Sequence, residues 1–157
     1  MQYSSVIRML FVLPLLFLAV SGMAGAEERR FVDLNGNAIR MSELHGKWVV
    51  VNYWASWCPP CLEELPELVH FHETHKDDKA VVIGINAENL SRAELLSFVD
   101  EYMLNFPIVP RRNDMPSFGP VPGLPTTFLI DPEGNTVARQ VGPVTAEMIE
   151  NFMASNP

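Results

Sequence analysis

The chain has 157 residues, 48% of them hydrophobic, which is one domain's worth and enough for a single continuous core. Its formal net charge is -8, from 11 basic against 19 acidic side chains, so phosphate backbones and anionic lipid surfaces repel it and nucleic acid is excluded as an expected partner. Only two cysteines are present, and both lie in the four-residue window Cys58 to Cys61, which excludes a framework of structural disulfides because so short a loop removes little entropy from the unfolded chain.

The first stretch differs from the rest. Arg8 is its only charged side chain, Met9 to Val20 is apolar around Pro14, and Ala24-Gly25-Ala26 follows. A charged start, a short apolar middle and a small-residue cleavage site make a secretory signal peptide. The apolar run is shorter than the ~20 residues a membrane-spanning helix needs. Residues 1–26 are therefore expected to be a signal cleaved after Ala26, with an uncleaved membrane anchor as the competing reading, and 27–157 to be the folded domain. No cysteine lies near the cleavage site, which argues against a lipid anchor. Loss of Arg8 takes the mature charge to -9, ten basic against 19 acidic side chains.

Phe31 to Leu34 and Ile39 to Met41 read as two short strands joined through Asn35-Gly36, a strong hairpin signal. Trp48 to Tyr53 is a nearly continuous β-prone run, as expected for a strand covered on both faces. From Pro59 the pattern becomes helical, with Leu62, Leu65, Leu68 and Val69 on one side. Proline is accommodated in a first helical turn. Pro66, inside the helix, is expected to kink it. Ala80 to Asn86 reads as a second buried strand. Ser91 and Glu94 form a capping box before a helix whose buried stripe is Leu95, Phe98, Val99, Tyr102 and Met103.

Phe106 to Val109 reads as a short extended segment, and Pro110 to Pro125 as a loop. Thr126 to Ile130 and Thr136 to Val141 are expected strands, joined by the turn Asp131-Pro132-Glu133-Gly134. A last helix starts at Thr145 and buries Met148, Ile149 and Phe152. Strands alternating with helices, then a hairpin and a helix, give an α/β three-layer sandwich around a mixed sheet, with a β-hairpin at its N-terminal end.

The chemistry converges on Trp54-Ala55-Ser56-Trp57-Cys58-Pro59-Pro60-Cys61. This places the first thiol at the mouth of a helix, where a partial positive charge and free N–H groups stabilise a thiolate. Cys58 is the expected nucleophile. Cys61, a turn deeper, is expected to attack the mixed disulfide that Cys58 forms with a substrate. His70, His72 and His75 could form a metal site with the cysteines only if they were close, but His72 and His75 lie roughly 15 to 20 Å along the helix axis from Cys61. They are expected on a solvated helix face, and no metal is expected.

The chain resembles the thioredoxin superfamily, and within it the exported TlpA, ResA and CcmG group of bacterial thiol-disulfide oxidoreductases. The resemblance runs from Phe31 to Phe152. It is carried by Ser42-Glu43-Leu44-His45-Gly46-Lys47, Val51-Asn52-Tyr53-Trp54, the Trp-Cys-Pro-Pro-Cys box, Pro66, and Gly123-Leu124-Pro125-Thr126-Thr127-Phe128-Leu129-Ile130-Asp131. It implies a thioredoxin-like fold, a cis bond before Pro125, and backbone hydrogen bonds from Leu124 to a substrate strand. Trp54 and Trp57 read as core and rim packing, and Trp57, with Pro59, is also expected on the docking surface. Where cytoplasmic thioredoxins commonly carry a buried Asp, this chain has Asn52, which cannot accept the proton of Cys61. The resemblance implies Glu88 in that part, as a carboxyl raised in pKa beside the thiol; a solvated loop residue is the alternative.

The expected function is an exported reductase of protein disulfides, apocytochrome c among its clients, working outside the cytoplasm and fed by a membrane thiol donor. The protein is expected to be a monomer and to use no cofactor beyond the Cys58–Cys61 couple. Three other readings compete: an oxidant that introduces disulfides, a module that binds an exported client, and a peroxide-reducing redoxin. Against the last, no separate peroxidatic cysteine is present.

Overall fold

The computed structural model describes residues 29–156; the expected signal segment lies outside them. Strand β3 (Trp48–Trp54) is the centre of the architecture. Its run of valines and aromatics suits a strand buried on both faces, and all but Tyr53 are buried. It pairs in parallel with β4 (Ala80–Asn86) and antiparallel with β6 (Thr126–Ile130). With β5 (Ile108–Val109) beside β4 and β7 (Thr136–Val141) beside β6, the sheet is five-stranded in the order β5-β4-β3-β6-β7. The parallel β3 and β4 require a crossover, supplied by α1 (Pro59–His75).

Alternation along β3 divides the interior. Trp48, Val50 and Trp54 face the core shared with α1, α2 (Arg92–Glu101) and α3 (Ala146–Ser155), through Leu65, Leu95 and Ile149. Val49 and Val51 face a second core with Phe31, Met41, Phe118 and Phe128. That face carries the antiparallel hairpin of β1 (Arg30–Val32) and β2 (Ala38–Arg40), a 3-10 turn at Met41–Leu44, and the loop around Phe118, which stacks on Phe31 at 5.6 Å. The expected three layers are present; the third is hairpin and loop.

Local signals hold where they are short-range. The hairpin turn has Gly36 at φ +89°, and Asp33 accepts from the backbone of Asn35 and Asn37. The capping box is complete: Ser91 accepts from the Glu94 backbone and Glu94 from the Ser91 backbone. Two expected core positions are corrected. Met103 follows the end of α2 at φ 51° and is 78% exposed, because the chain has left the helix before its side chain can continue the stripe. Met148 is 47% exposed, since α3 turns Ala146 and Ile149 to the sheet instead.

Candidate active site

The site forms where β3 ends and α1 begins. Cys58 is the N-cap of α1, in extended geometry, and Pro59 and Pro60 occupy the first helical positions, where a missing N–H leaves nothing unpaired. The Cys58 carbonyl accepts from Cys61 and Leu62, at 3.0 and 3.1 Å, and so starts the helix ladder. The two cysteines are joined as a disulfide with their Cα atoms 5.3 Å apart. Cys58 is 3% exposed and Cys61 fully buried, while Trp57 beside them is 68% exposed and Pro59 is exposed too. The couple therefore lies at the surface end of the sheet under an aromatic rim. A cleft of about 1100 Å³, lined by His45, Gly134 and Phe118 among others, includes neither cysteine.

The bond between Leu124 and Pro125 is cis. The register Tyr53↔Thr126 brings Pro125 level with Trp54, at the end of the sheet from which the cysteines rise. Its carbonyl accepts from Gly142 at 2.9 Å, which ties this turn to the end of β7. Pro125 is buried and Leu124 half-buried.

Glu88 sits after β4, half-buried, with its carboxylate engaged by the turn that precedes Cys58. It accepts from the Ser56 N–H at 2.6 Å, the Ser56 hydroxyl at 3.0 Å and the Asn86 amide at 3.0 Å. These bonds fix the chain two residues before the nucleophile position.

A different carboxyl lies under the helix. Glu64 is 2% exposed, and its place three residues after Cys61 sets both on one face of α1. It accepts from the Asn52 amide at 2.7 Å and the Val144 N–H at 2.8 Å. Burial pushes its pKa up to about 7, against the opposing pull of the Val144 and Asn52 hydrogen bonds. Sequence reasoning missed it, although a signal existed: Glu64 falls within the stripe Cys61, Leu65, Leu68, where a charge has no reason to be unless it is partnered.

Two of the three histidines expected on a solvated face, His72 and His75, are largely withdrawn from solvent. His72 is 6% exposed, not solvated, and its Nδ1 accepts from the Val82 N–H at 3.0 Å. That bond satisfies a β4 amide below the reach of the short β5. Burial and then Lys76 lower its pKa to about 4. His75 meets Glu150 of α3 at 2.9 Å, and His70 is exposed. Among the described residues no group of three or more His, Cys, Asp or Glu is placed to hold a metal ion, and no helix is long and apolar enough to cross a membrane.

Residues 24–139 match the model of the AhpC/TSA family. Over 134 residues the chain is 39% identical to the thiol-disulfide oxidoreductase ResA of Halalkalibacterium halodurans, covering 83% of this chain and 75% of that protein. Among solved structures it is similar to a thiol:disulfide interchange protein of the thioredoxin family from Chlorobium tepidum, with TM-score 0.70 and 25% identity over 84% of this chain and 98% of that one. It is also similar to the pneumococcal exposed lipoprotein thioredoxin Etrx1 from Streptococcus pneumoniae, with TM-score 0.68 and 26% identity over 82% of this chain and 98% of that one.

Proposed function

Since the chain belongs to the AhpC/TSA family and is a thioredoxin-like thiol-disulfide oxidoreductase, we propose that it works outside the cytoplasm as a reductase of disulfides in exported proteins. The observation that carries this reading is the Cys58–Cys61 disulfide at the N-terminus of α1, at the same end of the sheet as Pro125. The helix terminus favours a thiolate at Cys58, which attacks a client disulfide; one client sulfur leaves as a thiolate and takes a proton from water. Glu64, poised near neutrality, accepts the proton of Cys61. The Cys61 thiolate then attacks the Cys58 sulfur, the second client thiolate departs, and the disulfide of this chain is restored. Two electrons and one net proton have passed to the client: Glu64 returns the Cys61 proton to solvent in place of the one the first client thiolate took up, and the second client sulfur departs as a thiolate.

In this reading Glu88 braces the Ser56 turn, so that Cys58 is presented at the helix mouth. Trp57 and Pro59 form the exposed docking rim, and Leu124 with Pro125 offers an extended backbone edge for a client strand. Resetting the couple needs a dithiol donor, which for an exported protein is a membrane thiol carrier. Apocytochrome c is one client class of this chemistry. The exposed lipoprotein among the similar structures supports the location, as does the leader-like composition of residues 1–26.

The test is trapping. Cys61→Ala should accumulate mixed disulfides with exported proteins through Cys58, and Cys58→Ser should trap none and reduce none. A Cys58→Ser protein that still reduces client disulfides would overturn the mechanism; one that loses reduction yet keeps binding clients as tightly, with Cys61→Ala trapping nothing, would favour a binding module.

A further inference from the structure

We propose, resting on the proton role given to Glu64, that Asn52 and Thr127 are positioning residues of the exchange reaction, which fix the Glu64 carboxylate to the strand following Pro125 and so set the pH at which Cys61 releases its proton. Asn52 is fully buried on β3. Its amide nitrogen gives one hydrogen to Glu64 Oε1 at 2.7 Å and the other to Thr127 Oγ1 at 3.0 Å. Its oxygen is left buried with no partner. An ionised carboxylate only accepts, so the amide must turn its donor side to Glu64; the reversed amide would set two oxygens against each other. The orphaned oxygen is the consequence of an arrangement organised around donation.

The tether has a direction. Asn52 and Thr127 are direct partners across β3 and β6, and Thr127 lies two residues after Pro125. The other oxygen of Glu64 takes the Val144 N–H, two residues after Gly142, whose own N–H binds the Pro125 carbonyl. Both carboxylate oxygens are thus tied, by separate routes, to the segments that hold Pro125. No charged side chain is among the causes of the raised Glu64 titration. Glu67, one turn on in α1, accepts from the Ala146 N–H, and Glu63 of α1 and Glu147 of α3 are exposed. With no nearby charge to compete, the hydrogen bond from Asn52 is the adjustable influence on Glu64, and it favours the ionised form that Cys61 needs.

The test follows the pH–rate profile for reduction of glutathione disulfide by the reduced protein, with carbon NMR titration of the Glu64 carboxyl alongside. Asn52→Leu, or Asn52→Ala where packing suffers, should move the rising limb and the Glu64 titration to higher pH, by about tenfold in proton affinity, the worth of one hydrogen bond to a charged group. Thr127→Val should move both in the same direction, and Thr127→Ser should restore the natural profile. Glu64→Gln should shift the limb to the pH set by the Cys58 thiolate alone, and Asn52→Leu on that background should change the profile no further. If Glu64→Gln shifts the limb while the Asn52 and Thr127 variants leave it in place, the positioning role is overturned and the proton role of Glu64 stands. If Glu64→Gln leaves the limb unmoved, the proton role falls, and this proposal with it.

Discussion

Glu64 and His72 are buried, titrate in opposite senses, and largely conceal each other in the stability of the oxidised protein. Glu64 is pushed up from 4.5 to about 7 by burial, so the folded protein keeps this proton over a range where the unfolded chain has lost it. Its contribution to stability is complete below 4.5 and is lost as pH rises through 7. His72 is lowered from 6.5 to about 4, chiefly by burial, so the unfolded chain holds a proton that the folded protein does not. Its contribution is present above 6.5 and is lost as pH falls through 4. Each slope is up to about 1.4 kcal/mol per pH unit and each total about 3 kcal/mol, with little discount for solvent because both side chains are buried. Between 4.5 and 6.5 the two slopes cancel. Glu64→Gln removes the falling slope, so relative to the natural protein it should gain about 3 kcal/mol from pH 4 to pH 7.5. His72→Gln removes the rising slope and should lose a similar amount over the same span, on top of a pH-independent cost of about 1 to 3 kcal/mol if the Val82 N–H is left unpaired. Urea unfolding midpoints at half-unit pH steps, with the disulfide intact, provide the measurement. Profiles of both variants parallel to that of the natural protein would rule out these opposed titrations of Glu64 and His72.

Gly84→Ala should destabilise the protein by about 1 to 3 kcal/mol, read by urea unfolding, because a Cβ there would lie 2.9 Å from Ile108 Cδ1 and Phe106 Cε2 and 3.1 Å from the Trp54 ring nitrogen. Ser91→Ala removes the hydroxyl that caps α2 and should cost about 1 kcal/mol, with no change in the exchange rate. In the reduced protein at neutral pH, iodoacetamide should modify Cys58 readily and Cys61 slowly, as mass spectrometry of the peptides would read, because the helix terminus favours one thiolate and Cys61 is fully buried. The exported protein should begin at Glu27 by intact-mass measurement; a mature N-terminus at Met1 would mean an anchor.

The parts of the molecule legible in the sequence are those whose physics is local. Asn35-Gly36 requires a turn whatever surrounds it, Ser91 and Glu94 cap each other across one helical turn, and a thiol before two prolines stands at a helix start wherever the helix packs. The strands from Trp48, Ala80 and Thr126 were readable because β-branched runs between turn signals leave few alternatives. What was not readable depends on distant partners. Glu64 is tolerated in the core because Val144, 80 residues away, and Asn52 meet its two oxygens. His72 is drawn inside by an amide on a strand that a two-residue neighbour leaves partly open. The resemblance points to Glu88, but that its carboxylate is bonded to Ser56 depends on how the two strand ends meet. Met103 kept the helical spacing one turn too far, past a boundary that pattern alone does not fix.

In the proposed function the Cys58–Cys61 couple donates electrons. No His or basic residue lies between the cysteines, so the helix terminus is the main influence holding the Cys58 thiolate, and its pKa is expected nearer ~7 than ~3.5. A thiolate that is not over-stabilised goes with a disulfide that is stable relative to its dithiol. Equilibration of the full mature protein against glutathione buffers, followed by the fraction of Cys58 and Cys61 alkylated at each ratio, gives the reduction potential directly. The expected value is nearer the thioredoxin figure of about -270 mV than the strongly oxidising figure of about -120 mV. A potential above about -150 mV would contradict it and make the protein an oxidant of exported thiols.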